Sequence, residues 1–262
     1  MEDRALAGGN SNSLVRLRGD IVYRKRRECS ESVGWLLQSV SKGFSFCPVF
    51  YGLSGESEMV GYIPGTVGNY PVPTAFVAEK VLTQVASALR SLHVSTSKML
   101  DSAAEMRWYQ LPVAPSAATW DCIGHNDLGP YNVVLDESGD VAGFIDWDMA
   151  GPTNSQWDLA YAAYRLIPLV SPQVAMSLGF DGVDQIGRLK LFVKAYGGKV
   201  SEVQICEAAI ARLAAEVLRI EVGAISGDEN TEIARRENHV AGYLEDIGWI
   251  ASVAGRLRAE RE

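Results

Sequence analysis

The sequence predicts an α+β protein of two unequal parts, and three observations predict it. The first ~60 residues alternate polar and apolar in the manner of short strands. A Pro/Gly-rich stretch follows at 64–73. Beyond it, apolar residues recur at helical spacing.

The elements follow in order. "LVRLRGDIVYRKR" is two alternating runs around Gly19-Asp20, which predicts a hairpin. In "ESVGWLLQSV", Val33, Leu36, Leu37 and Val40 fall on one helical face. "PVFYGL" and "MVGYI" read as two further strands, and "PGTVGNYPVP" as a linker. Val81, Val85, Leu89 and Leu92 predict a helix over 75–93. Residues 97–122 contain "LPVAPSA", show no period and read as a long loop. "NVVL", "DESGD" and "VAGFID" form strand, five-residue turn and strand.

Only helices are expected after that hairpin. One covers 156–167 and stops before Pro168. One runs from an Asp184 N-cap to Gly197-Gly198. One starts at Ser201, which has capping-box spacing to Gln204, and ends near Gly223. The last covers 232–257. The expected division is an N-terminal lobe at 1–63, a hinge at 64–74 and a helical C-terminal lobe at 75–262.

Composition excludes several classes. With 262 residues the chain is long enough for a sizeable core, and 47% hydrophobic with 21% charged residues is ordinary for a globular protein. No run approaches the ~20 apolar residues of a membrane span. "MEDRALAGGNSNS" lacks the basic start and apolar core of a secretory signal, so a cytoplasmic protein is expected. Cys29, Cys47, Cys122 and Cys206 form no CxxC pair, which argues against a disulfide framework or a zinc ribbon. The net charge of −8 is uneven: residues 1–64 carry 8 Lys+Arg against 7 Asp+Glu, and residues 65–262 carry 16 against 25. The acidic part is a poor partner for nucleic acid and would suit a cationic small molecule.

The chemistry concentrates in "CIGHNDLGPYNVVLDESGDVAGFIDWDMAGP", residues 122–152. The two apolar strands must pair, because each alone would bury unpaired backbone groups. Pairing returns Asp146 to the neighbourhood of Asn132, with Asp127 in the loop just before. Three oxygen-bearing side chains thus converge at one end of a hairpin. A hard cation such as Mg²⁺ takes one or two protein oxygens plus substrate phosphates. Asn132 and Asp146 can supply them, leaving Asp127 to accept a proton from a hydroxyl. These are the parts of kinase phosphoryl transfer, in the pattern His-x-Asp-x4-Asn. Asn126 stands where protein kinases place Arg, and Asp146-Trp147-Asp148 stands in place of Asp-Phe-Gly.

With "GHNDLGPYNVV", "FIDWDMAGP" and "WDLAYAAYRLIPL", and more weakly "GGNSN" and "YIPG", the chain resembles the aminoglycoside phosphotransferase family. The match is dense over 124–168. The resemblance implies a protein-kinase-like two-lobe fold, with Asp127 as catalytic base, Asn132 and Asp146 as Mg²⁺ ligands, and Asp158 supporting the catalytic loop. His125 reads as a structural histidine that pins the loop. Asp148 is open between metal contact, substrate contact and surface acid. Asp158 is open to a role as its helix's N-terminal cap. Trp147 and Trp157 read as packing, and His93 and His239 as structural or surface residues.

The nucleotide side is less marked. Gly8, Gly9, Asn10 and Ser11 would let backbone N–H groups approach phosphates. Arg24 falls where kinases place a cation over the α/β-phosphates, and a one-residue slip would exchange it for Lys25. Tyr62 and Ile63 end the segment resembling the hinge that meets the purine through its backbone, which leaves ATP and GTP both open. The Glu that usually pairs with the cation is missing from "SVGWLLQSV"; Glu28 and Glu31 lie just before it. The leading expectation is a Mg²⁺-dependent kinase for a small-molecule hydroxyl, with an aminoglycoside or another amine-bearing, cationic acceptor among the options. The alternative is a catalytically silent nucleotide-binding regulator of the same fold. No nucleic-acid or membrane partner is expected, and the oligomeric state is open.

Overall fold

A computed structural model describes residues 3–6 and 15–260 of the chain. Gly8, Gly9, Asn10 and Ser11 lie outside the described residues.

The N-terminal part is an antiparallel sheet of β1 (Asp3–Leu6), β2 (Val15–Arg18), β3 (Ile21–Lys25), β4 (Phe50–Ser54) and β5 (Ser57–Gly61), in the order β1-β2-β3-β5-β4. Gly19 makes the β2–β3 turn at φ +59°, a conformation glycine adopts without strain. α1 (Ser30–Val40) buries Val33, Leu36, Leu37 and Val40, the face its periodicity marks. Gly34 lets α1 approach the sheet closely: a Cβ there would stand 2.4 Å from Phe50 Cζ.

The chain leaves β5 through Tyr62 and Ile63, forms β6 (Thr66–Val67), and enters α2 (Glu79–Thr96) after a 3-10 turn. The helix expected over 75–93 therefore begins later and ends later. Val81, Val85, Leu89 and Leu92 are all buried along it. The segment 97–122 is not wholly a loop, since α3 (Leu100–Ala103) gives it one helical turn and β7 (Cys122–Gly124) ends it. Both are too short to leave a period in the sequence.

The expected hairpin is present as β8 (Val133–Leu135) and β9 (Val141–Phe144), with Val133 opposite Phe144. Asp136 Oδ1 accepts from the backbone N–H groups of Ser138 and Asp140 and so fixes the turn. β6 pairs with β8, and β10 (Gly151–Thr153) with β7.

Helices make up the remainder: α4 (Ser155–Leu166), α5 (Pro172–Ser177), α6 (Gln185–Tyr196), α7 (Glu202–Ile225), α8 (Glu229–Arg236) and α9 (His239–Ala259). The Asp184 cap and the Ser201/Gln204 capping box are both formed. Two expectations need correction. The helix over 232–257 is two helices, because Asn238 takes φ +63° between α8 and α9. α4 is capped by Asn154, whose side chain accepts from the Trp157 N–H, so Asp158 lies inside the first turn. α5 has a single buried residue, Ala175, and no amphipathic signal announced it.

The main hydrophobic core runs through both parts, from Leu36 on α1 through Leu89 on α2 to Phe144, Trp147 and Ile205, and a small second cluster joins Leu111, Trp157 and Ala215. The fold class is α+β, as the sequence predicts. Among the described residues no helix is long and apolar enough to cross a membrane. The four cysteines are free, and Cys29, Cys122 and Cys206 are buried.

Candidate active site

The loop between β7 and β8 holds Asp127, and Asp158 organises that loop from below. Asp158 is fully buried on α4. Its carboxylate accepts from the backbone N–H of His125 at 3.0 Å and of Asn126 at 2.6 Å, and from His93 Nε2 on α2 at 2.8 Å. Burial alone would push this carboxyl up, but the His93 hydrogen bond and the nearby histidines outweigh it and hold it below the usual range. Gly124 makes the approach possible, since a Cβ there would meet Asp158 Oδ2 at 2.7 Å.

His125 and Asn126 fasten the loop from the other side. His125 Nε2 donates to the Ile145 carbonyl at 3.0 Å, and its ring lies 4.7 Å from that of buried Trp147. Asn126 takes φ +63°, and its Nδ2 donates to the carbonyls of Met149 and Gly151. Asparagine tolerates the left-handed region better than most residues.

Asp127 is thereby presented with both carboxylate oxygens engaged. Tyr131 donates to Oδ1 at 3.1 Å, and Asn132 Nδ2 donates to Oδ2 at 3.2 Å and to the Asp127 carbonyl at 2.9 Å. Burial pushes the Asp127 carboxyl above the usual range, against the opposing charges of His125, Arg165 and Arg212. A raised carboxyl with a fixed orientation is suited to taking a proton.

Asn132 is buried and commits its amide nitrogen to Asp127, which turns Oδ1 away as a free acceptor. The Ile145 N–H donates to the Asn132 carbonyl at 2.9 Å, so Asp146 follows directly beside Asn132. Asp146 takes φ +59° and leaves its carboxylate half-exposed. The donor set of one amide and one carboxylate oxygen fits a hard divalent cation that keeps positions for phosphates and water. Among the described residues no group of three His, Cys, Asp or Glu forms a protein-only metal cage.

The sheet contributes a cation to the same place. Arg24 on β3 reaches Asp146 Oδ1 at 3.0 Å and Asp148 Oδ1 at 2.8 Å, while Lys25 is exposed on the opposite face. Its carboxylate partner within the sheet is Glu58, directly across on β5, at 2.8 Å. Glu58 is 1% exposed and also accepts from Ser30 Oγ at the start of α1. Glu28 and Glu31 turn elsewhere, to Arg107 and Arg26. Asp148 also pairs with Arg27, so it belongs to this ionic cluster. Burial pushes its carboxyl up, against the pull of Arg24.

At the exit of β5, the Tyr62 N–H is spent on the Asp20 carbonyl. Ile63 lies over Gly143 of β9, where a Cβ would meet its Cδ1 at 2.7 Å.

On the far side of Asp127 stand residues that sequence reasoning missed. The Tyr131 hydroxyl is 3.2 Å from that of Tyr161, and Arg165 Nε and Nη2 both donate to Tyr161 at 3.2 and 3.1 Å. Arg212 on α7 pairs with Glu216 at 2.5 Å and donates to the Asn126 carbonyl at 3.3 Å. A signal existed for two of them: Tyr161 and Arg165 lie three and seven residues beyond Asp158, on one face of α4. A cavity of about 290 Å³ adjoins the loop and is lined by Tyr109, Trp120, Asn126, Thr153 and Trp157 among others, but not by Asp127. His239 is exposed beside Glu237 and far in sequence from this cluster.

Comparison with known proteins finds likenesses in sequence and in fold. The family model described as "Phosphotransferase enzyme family" matches residues 80–191. The trifolitoxin immunity protein of Rhizobium leguminosarum bv. trifolii is 28% identical over 204 residues, 75% of each chain. Among solved structures, choline kinase LicA from Streptococcus pneumoniae superposes with a TM-score of 0.58 at 14% identity, covering 96% of this chain and 94% of that one. The gentamicin complex of APH(2″)-IIa gives 0.58 at 16% identity, covering 94% and 93%. Macrolide 2′-phosphotransferase type I gives 0.56 at 18% identity and 88% of each chain. At these identities the structural likeness is one of fold, and that fold is the protein-kinase-like one.

Proposed function

We propose that this chain, which resembles the aminoglycoside phosphotransferase family in sequence and shares the fold of its solved members, moves the γ-phosphoryl group of ATP or GTP to a hydroxyl of a small molecule. The observation that carries the reading is the joint presentation of Asp127, Asn132 and Asp146 at one end of the β8–β9 hairpin. Asn132 Oδ1 and Asp146 would hold Mg²⁺, which when bound neutralises charge on the nucleotide phosphates. Asp127 orients the acceptor hydroxyl and takes its proton as the new O–P bond forms and the β–γ bridge breaks, releasing a nucleoside diphosphate. Arg24 exchanges part of its carboxylate contact for the phosphates. The backbone of the Tyr62–Ile63 hinge meets the purine, and with the Tyr62 N–H already spent, the Ile63 N–H, which has no backbone acceptor among the described residues, is the donor. A nucleotide donor and the free thiols support a cytoplasmic setting for this work.

The relative with an immunity function favours a second, narrower reading, in which the acceptor is an antimicrobial compound and phosphorylation disarms it. Both readings are tested by nucleoside-diphosphate release, with ATP and with GTP, across aminoglycosides, macrolides, choline, amino alcohols and sugars, alongside Asp127→Asn. Release that an acceptor stimulates and the variant loses supports the kinase. A nucleotide that raises the melting temperature with Mg²⁺, yet supports no release with any acceptor, favours the silent regulator. Absence of nucleotide binding overturns both.

A further inference from the structure

The charges beside Asp127 differ from the acidic balance of the chain as a whole. Arg165 and Arg212 both act on the Asp127 carboxyl. Arg212 is neutralised by Glu216, which also takes Arg219. Arg165 is different. Its hydrogen bonds go to phenols, Tyr161 and Tyr243, and among the described residues no carboxylate pairs with it. Asp246, the acid nearby, is engaged by the Tyr164 hydroxyl at 2.6 Å.

The phenols carry the direction of this charge to the base. The Tyr161 oxygen accepts two N–H bonds from Arg165, so its own hydrogen points to Tyr131, whose hydrogen goes to Asp127 Oδ1. Arg165 thus stands two hydroxyl groups from the reacting carboxylate, with no carboxylate paired to it among the described residues. The Tyr70 hydroxyl is buried without a partner among the described residues. Its ring lies edge-on to Tyr131 at 6.1 Å, and Arg165 stands beside the hydroxyl, opposing the upward push of burial on it. The guanidinium and the Tyr70 hydroxyl therefore lie side by side near Asp127, with no carboxylate paired to either among the described residues.

The same geometry disfavours a cation. Two of the nearby aromatic faces that could cradle an ammonium group are already covered by Arg165, 5.2 Å from the Tyr161 centroid and 4.7 Å from that of Tyr164. An ammonium bound there would meet a permanent like charge.

We infer that the acceptor carries an oxyanion, a carboxylate or a phosphate ester, received by Arg165 and the Tyr70 hydroxyl while its hydroxyl group meets Asp127. This rests on the kinase reading and names its substrate class, which departs from the amine-bearing acceptor that bulk charge favours.

A matched set of three-carbon hydroxyl compounds tests it: glycerate, glycerol 3-phosphate, glycerol and 3-amino-1,2-propanediol. Each is titrated calorimetrically into the full-length chain without nucleotide, and a separate titration with Mg²⁺ and ATP or GTP monitors the donor site. The expected result is binding of one or both anionic compounds about tenfold or more tighter than glycerol, the worth of a charge-assisted hydrogen bond, with the amine weakest. The two anionic arms tell carboxylate from phosphate ester. Arg165→Gln should erase the discrimination and leave nucleotide binding intact, and Arg165→Lys should restore part of it. Tyr70→Phe removes one donor without touching the guanidinium and should weaken only the anionic compounds. Preference for the amine, equal binding of all four, no binding by either anion, or discrimination that survives Arg165→Gln overturns the inference. Loss of nucleotide binding in the parent chain would instead defeat the kinase reading itself.

Discussion

Arg24 and Glu58 are register partners on adjacent antiparallel strands, so the cation facing the candidate metal site is neutralised from within its own sheet. Ser30 ties Glu58 to the first residue of α1. The link between cation and helix is thus made in two steps, through a strand carboxylate and a hydroxyl.

Removing either member should have different effects. Arg24→Met leaves Glu58 buried without its cation and should cost about 3 kcal/mol of stability, measured by urea denaturation. Glu58→Gln keeps the shape and loosens Arg24, and should raise the KM for the Mg-nucleotide about tenfold with a smaller stability change. A Glu58→Gln enzyme with unchanged nucleotide KM would show that Asp146 and Asp148 suffice to orient the guanidinium.

Asp158→Asn should destabilise the protein by about 3–5 kcal/mol, because an amide nitrogen would face backbone N–H donors. The pH dependence has a definite sign. The folded carboxyl lies below its ordinary value, so its contribution is present above the unfolded pKa of about 3.9 and is lost as pH falls through the folded pKa. Denaturation curves from neutral pH downward should show the parent's advantage over Asp158→Asn shrinking only in strong acid. An advantage that disappears near neutrality would instead implicate His93.

Asp127→Asn should lower kcat about 10²- to 10⁴-fold, the usual range for a general base. The test is steady-state kinetics with the melting temperature measured in parallel, and a small kcat effect would assign Asp127 to orientation alone.

Tyr131→Phe should act on the same carboxyl. Burial already holds it above the ordinary range, so the acid limb of kcat/KM should lie above that of a free aspartate. Losing the Tyr131 donor removes a bond to the charged form and moves that limb to still higher pH. A limb that stays in place would mean that Tyr131 only packs.

The hairpin and its acids were legible in sequence because chemistry and geometry share one short segment. Strand pairing over Val133–Phe144 brings Asn132 and Asp146 together whatever surrounds them. Arg24 was legible from strand alternation. Glu58 was not, because its meeting with Arg24 depends on β5 crossing back beside β3, a non-local pairing that no spacing encodes. Arg165 and Tyr161 carried only a partial signal: their spacing puts them on one face of α4 with Asp158, and the fold is needed to show that this face looks toward Asp127. The break at Asn238 escaped because a lone asparagine does not declare which backbone conformation it takes, and only its angle marks the end.

The bonds that Asp158 makes to the backbone of His125 and Asn126, together with His93 behind it, have a consequence for how such a protein can change. The shape of the loop carrying Asp127 is inherited from the packing of α2 against α4. Arg165, proposed to receive the acceptor, lies on the same α4 as Asp158, inside that frame, and Arg212 of α7 holds the loop at the Asn126 carbonyl. Selectivity and reacting geometry are therefore tied through one helix, and a change of acceptor that works through α4 has to leave the Asp158 bonds to the loop in place.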